Sequence, residues 1–211
     1  MPTKTQNRLS AVGGQSPSND GNHAIDLSKP YIVEVEIEGT SDLLFHRWSN
    51  EAVKEKADAR KGSAAKKSDN VESYLYRDAK GNISLPGEYV RMSCIGAAKY
   101  RQDPRSSRKS ASDLYKAGII ALTQLASLGK DKPDFEDRRR VVIQRSAITR
   151  CRPAFLTGWR CKMQFAINLP EYISVQDFRE TLTMAGRLVG VGDFRPSFGR
   201  FQIVSCEVLD L

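Results

Sequence analysis

Apolar and polar residues alternate strictly through YIVEVEIEG. Tyr31, Val33, Val35 and Ile37 fall on one side, and Glu34, Glu36 and Glu38 on the other. That period of two predicts a half-buried strand, ended by Gly39 and Thr40. WRCKMQFAINLP repeats the pattern, with Trp159, Cys161, Met163, Phe165, Ile167 and Leu169 inward and Arg160, Lys162, Gln164 and Asn168 outward. Together these strands predict an antiparallel sheet with one wet, basic face. In SVQDFRETLTMAGRLV the period changes to that of a helix. Phe178, Leu182, Ala185 and Leu188 or Val189 form an apolar stripe, and Ser174 with Asp177 resembles a capping box. FQIVSCEVLDL predicts a last strand from about Arg200 to Leu209.

The segments between are less regular. YLYRDAKGNISLP reads as a short hairpin turning at Gly81. Pro86 then opens a helix, GEYVRMSCIGAAKY, whose Val90, Cys94, Ala97 and Ala98 share one side. LYKAGIIALTQLASL, from Leu114 to Leu128, predicts a second apolar helix, capped by Ser112 or Asp113 and closed by Gly129. A surface turn follows, then a strand from Val141 to Thr149, then a turn holding Arg150 and Arg152. Residues 1–28 are rich in Ser, Asn, Gln and Gly and predict a disordered leader. Residues 29–211 predict a single domain, with 47–85 as an insertion after the first strand. Without insertions the order is strand, helix, strand, strand, helix, strand. That is an α+β, ferredoxin-like (split βαβ) antiparallel sheet with helices on one face.

A chain of 211 residues with 40% hydrophobic content can bury a proper core. Its formal net charge of +8 favours a polyanionic partner, most often nucleic acid. The four cysteines form no CxxC pair, which predicts reduced thiols in a cytoplasmic protein. No apolar run reaches transmembrane length, so no membrane partner is expected. There is no P-loop, HExxH, GxSxG or Cys/His cluster, and neither a metal nor a cofactor is expected.

Candidate chemistry is concentrated in GVGDFRPSFGRF. Gly190, Gly192 and Gly199 alternate there with Arg195, Arg200, Phe194 and Phe198. Glycine lets a backbone approach a ligand closely, and arginine offers phosphate a fixed fork of donors. The same loop also suits a plain helix-to-strand connection. Arg47 and Trp48 lie side by side and can pair with phosphate and stack on a base; core packing of Trp48 stays equally open. The basic arm with Lys66 and Lys67, and the Ser/Arg-rich loop with Arg105 and Arg108, are either phosphate-binding segments or solvated loops. His46 is one of two histidines and the one candidate general acid or base of that type.

Three stretches resemble the RAMP superfamily, the ferredoxin-like RNA-binding proteins of multisubunit CRISPR effectors. They are SDLLFHR after the first strand, the Leu-Pro-Gly helix start of SLPGEYVRMSCIGAA, and the glycine-rich loop of LVGVGDFRPSFGRFQIV. The likeness covers most of residues 31–209 and is greatest to the backbone subunit that coats guide RNA. It implies single-stranded RNA as partner, self-association along that RNA, contacts with other effector subunits, and a thumb-like role for residues 47–85. Two departures stand beside it. The chain is short for a backbone subunit, and the superfamily's processing endonucleases often carry a catalytic histidine, for which His46 is the candidate. The alternatives are therefore a metal-independent endoribonuclease and a protein-interaction module using the basic face.

Overall fold

The computed structural model describes residues 29–48, 50, 54, 57–58, 70–143 and 146–209. The leader 1–28 and the lysines Lys66 and Lys67 lie outside the described residues, as does most of the basic arm.

The predicted first strand is β1 (Tyr31–Gly39), with burial alternating along its length. It pairs antiparallel with β10 (Arg160–Ile167) on one side and β11 (Phe201–Leu209) on the other. A short edge strand, β6 (Ile119–Ala121), pairs antiparallel with β10, giving the order β11-β1-β10-β6. Two helices pack on the sheet, α1 (Gly87–Ala98) and α3 (Val175–Leu188), and they contact each other. The result is a mixed α+β, ferredoxin-like architecture in which β1, α1, β6, β10, α3 and β11 supply the split βαβ order.

Each element follows from its residues. The inward side chains Val33, Val35, Ile37, Met163, Phe165 and Ile167 share one core with Val90, Cys94, Phe178, Leu182 and Ala185. Burying side chains of this size stabilises by about 1.5–3 kcal/mol each. The α3 capping box forms: Ser174 Oγ accepts from the Asp177 amide, and the Asp177 carboxylate accepts from the Ser174 amide. All four cysteines are free thiols.

Several expectations are overturned. The apolar stretch 114–128 is not one helix. A short α2 (Ser112–Gly118) gives way to β6, and β7 (Leu125–Lys130) then pairs with β3 (Ile83–Pro86). Gly118 weakens and ends the helix, the β-branched pair Ile119 and Ile120 favours extended backbone, and the open edge of β10 supplies the partner. The second strand of the split plan is therefore β6, not residues 141–149. The expected hairpin around Gly81 is present but short: Arg77 bridges Ile83, the Asp78 amide donates to Asn82 O and the Ser84 amide to Tyr76 O, while the other edge of β3 pairs with β7. The stretch 135–155, read as turn, strand and turn, is a long hairpin of β8 (Phe135–Ile143) and β9 (Ser146–Phe155). A two-residue strand, β2 (Leu43–Leu44), joins its edge. The Ser/Arg-rich stretch after α1 is a small hairpin, β4 (Gln102–Asp103) with β5 (Ser106–Ser110), rather than a loop.

The open face of the main sheet is wet, as expected, but not basic. Glu36 and Glu38 stand opposite Lys162 and Arg160. Lys162 bonds Glu34 at 3.0 Å, and Arg160 bonds Glu38 at 2.9 Å. Glu207 faces Glu34 from β11. These strands thus set four carboxylates against two cations, and cross-strand pairing uses up the cations.

Candidate nucleic-acid interface

Strand direction sorts the predicted site residues into two groups. The β1 C-terminus, the β10 start and the β11 start share one end of the sheet, because Glu38 pairs with Arg160 and Gly39 with Phe201. The glycine-rich loop, β2 with His46, Arg47 and Trp48, and the β8–β9 hairpin gather there. Arg105 and Arg108 lie at the opposite end. Their hairpin follows the α1 C-terminus, where Arg101 binds Asp177 and Glu180 in the first turns of α3. Arg105 is also committed within its hairpin: two of its nitrogens grip Asp103 at 2.9 and 2.7 Å. That grip lowers the Asp103 pKa to about 2.

The glycine-rich loop closes mainly on its own chain. The Val191 amide donates to Gly199 O, Asp193 to Leu44 O, and Gly199 to Asp42 O. The Arg200 amide donates to Ser41 Oγ. Gly199 has φ +69°, and a Cβ there would lie 1.7 Å from Val191 O, so this glycine is needed for closure. Most loop amides are therefore spent internally, which leaves the loop's side chains to face a ligand. Arg195 and Arg200 are exposed, and no carboxylate among the described residues pairs with either.

Phe194 and Phe198 are already engaged by arginine. Arg152 lies 4.4 Å from the Phe194 ring centre, and Arg139 lies 4.4 Å from that of Phe198. The arginines come from one face of the β8–β9 hairpin. Asp137 stands opposite Arg152, and Arg139 opposite Arg150, so these four side chains project together. Arg139 binds Asp137 at 2.7 Å. Arg152 is only 4% exposed, and its Nε donates to Asp193 Oδ2 at 2.5 Å while its NH1 finds no hydrogen-bond partner among the described residues.

Arg150 donates to His46 Nε2. A guanidinium has no acceptor, so Nε2 carries the lone pair and the imidazole is neutral. Burial and the positive charges of Arg150 and Arg152 push the His46 pKa down, against an upward pull from Asp193. The His46 ring also stacks on Tyr74, with ring centres 4.5 Å apart. His46 is thus a wall of the cluster, with its Nε2 lone pair engaged. Arg47 sits 5.2 Å from the Tyr76 ring centre and is exposed. Trp48 is 72% exposed, which rules out core packing; its indole N–H donates to Asn50 Oδ1 at 2.9 Å.

Between the loop, His46 and the α1 N-terminus is a cleft of about 350 Å³, lined by His46, Tyr89, Met92, Gly192, Asp193 and Arg195. The Tyr89 and Tyr76 hydroxyls share a hydrogen bond at 2.9 Å at its side. Among the described residues no group of three or more His, Cys, Asp or Glu side chains could hold a metal ion, and no helix is long and apolar enough to cross a membrane.

Sequence reading missed Arg138, Arg139 and Arg140 and took Arg150 and Arg152 for turn residues. The available signal was density: six arginines between residues 138 and 152. Strand pairing brings three of them, Arg139, Arg150 and Arg152, onto one face and turns Arg138 and Arg140 to the other.

No protein-family model and no curated protein matches the sequence. Among solved structures, the fold is similar to a chain in the cryo-EM structure of the Type III-B Cmr-beta bound to cognate target RNA. The TM-score is 0.53 at 9% sequence identity, over 87% of this chain and 62% of that one. This chain thus spans less than two thirds of that neighbour's length, and the likeness is one of fold.

Proposed function

We propose that this protein is an RNA-binding subunit of a CRISPR-like ribonucleoprotein, of the RAMP type that coats single-stranded guide RNA as a backbone. The observation that carries the reading is the meeting, at one end of a ferredoxin-like sheet, of the glycine-rich loop, the arginine face of the β8–β9 hairpin, and the exposed Arg47 and Trp48. Arg195, Arg200 and Arg47 supply phosphate contacts, and Trp48 supplies a stacking platform. The shared fold with a chain of an RNA-bound Type III-B complex supports the same reading. On it, the partners are RNA, further copies along the RNA and other effector subunits, in a cytoplasmic antiviral assembly. Residues 47–85 remain the proposed thumb.

The test is affinity for a single-stranded oligoribonucleotide as salt is raised. Phosphate contacts release counterions, so log Kd should rise linearly with log salt, at a slope of about 0.7 per contact. Affinity that stays flat between low and high salt overturns the reading. Absorbance at 260 and 280 nm of the purified protein gives a first check, since retained RNA raises that ratio. Light scattering on long RNA tests self-association: a strict 1:1 complex refutes it.

A further inference from the structure

The cleft beside the glycine-rich loop holds more than a phosphate site requires. Phosphate needs donors, yet the Asp193 carboxylate lines this cleft and its side chain is 35% exposed. One Asp193 oxygen takes Arg152 Nε and the other takes the Phe194 amide. A carboxylate has about four acceptor positions, so both oxygens keep capacity toward the cleft. Arg152 offsets much of the charge of this carboxylate, but an acceptor-only group still offers a phosphate oxygen nothing to bond. It attracts a group that presents two adjacent N–H donors.

Arg195 lines the same cleft and offers the opposite chemistry, a donor fork with no carboxylate partner among the described residues. Tyr89 registers both charges: burial dominates the upward shift of its phenol, Arg195 opposes that shift and Asp193 adds to it. Met92 is 50% exposed on α1 and contributes a polarizable thioether, a good surface for an aromatic face. The neutral imidazole of His46, backed by Tyr74, makes a flat wall. The volume of about 350 Å³ lies in the range of small-ligand pockets.

The geometry points to a pocket for one unstacked base of the bound RNA, selective for guanine. Guanine presents N1–H and N2–H side by side, which match the two oxygens of Asp193, and O6 and N7 as acceptors, which match the fork of Arg195. Adenine offers Asp193 one amine and no imino N–H. Cytosine offers one amine beside an acceptor nitrogen, and uracil flanks its N–H with two carbonyls that repel a carboxylate. This inference rests on the RNA-binding reading and departs from sequence-blind coating at a single position.

The test keeps the protein whole and changes the ligand atom by atom. A short labelled oligouridylate carries one central guanosine, inosine, adenosine or cytidine, and Kd is read by fluorescence anisotropy at fixed salt. Guanosine should tighten binding about tenfold over adenosine or cytidine. Inosine, which lacks only the 2-amino group, should fall between. Asp193→Asn, checked by thermal melting to be folded, should remove the difference between guanosine and inosine. Equal, salt-dependent binding of all four oligonucleotides overturns the guanine pocket and leaves the RNA-binding reading standing. Guanosine and inosine binding alike overturns the role of Asp193. Failure of every oligonucleotide to bind overturns both readings together.

Discussion

Arg152, buried in the β-hairpin, donates through Nε to the carboxylate of Asp193 in the glycine-rich loop. This contact ties the hairpin to the loop, and its two ends are unequal. Arg152 is 5% exposed in its side chain, whereas Asp193 is 35% exposed. Removing Asp193 strands a buried cation, while removing Arg152 leaves a carboxylate that water can reach. Asp193→Ala should cost about 3 kcal/mol, and Arg152→Met clearly less. Urea denaturation of the two variants checks the asymmetry.

His46 makes stability depend on pH. Its folded pKa lies below the ordinary imidazole value of about 6.5, chiefly through burial and then through Arg150. Above that value the imidazole is neutral in both folded and unfolded chains and contributes nothing to the dependence. Below it the unfolded chain takes up the proton first, so stability falls until the folded pKa is reached. His46→Gln should flatten this decline. Comparing urea midpoints for wild type and variant at about pH 7 and about pH 5 measures the difference.

Arg105 and Arg195 should part company. Arg105→Ala releases Asp103, whose pKa should climb from about 2 toward the ordinary carboxylate range, read by NMR titration of its carboxyl carbon. The acid side of the stability profile should change with it, since the Asp103–Arg105 contribution is present above the ordinary carboxylate pKa and fades as pH falls toward 2. RNA affinity should barely move. Arg195→Ala should weaken RNA binding and lower the salt slope by about 0.7, the share of one contact on a single strand. Equal losses of affinity for the two variants would contradict the separation of the two ends of the sheet.

Glycine substitutions test what closes the loop. Gly199→Ala sets a Cβ 1.7 Å from Val191 O in a backbone with φ +69°, and should cost about 3 kcal/mol or more. Gly81 has φ +85° with open space around it, so Gly81→Ala meets only the backbone term of about 1–2 kcal/mol. Thermal melting ranks the two.

The parts of this fold that the sequence shows are those where burial has one period. β1, β10 and α3 alternate or stripe cleanly because each buries a single face, and the capping residues of α3 are local. The parts that escape it depend on distant partners. Ile119 and Ile120 lie in an apolar run that suits a helix until the edge of β10 claims them. Arg139, Arg150 and Arg152 look like turn residues until strand pairing sets them on one face. Trp48 could be placed on the surface only by the structure. The glycine-rich loop was legible as a feature, but its amides proved to be bound to the chain that Asp42 and Leu44 belong to, a contact across about 150 positions that no local pattern encodes.

The carboxylate-rich open face of the sheet has a kinetic consequence. A polyanion drifting toward this molecule is turned away from the strands carrying Glu34, Glu36, Glu38 and Glu207 and drawn to the arginine end. A local field of this kind biases the direction from which an anionic partner approaches. On the proposed RNA-binding reading, encounters are filtered by direction, and the nucleic-acid backbone should meet the loop end before the sheet.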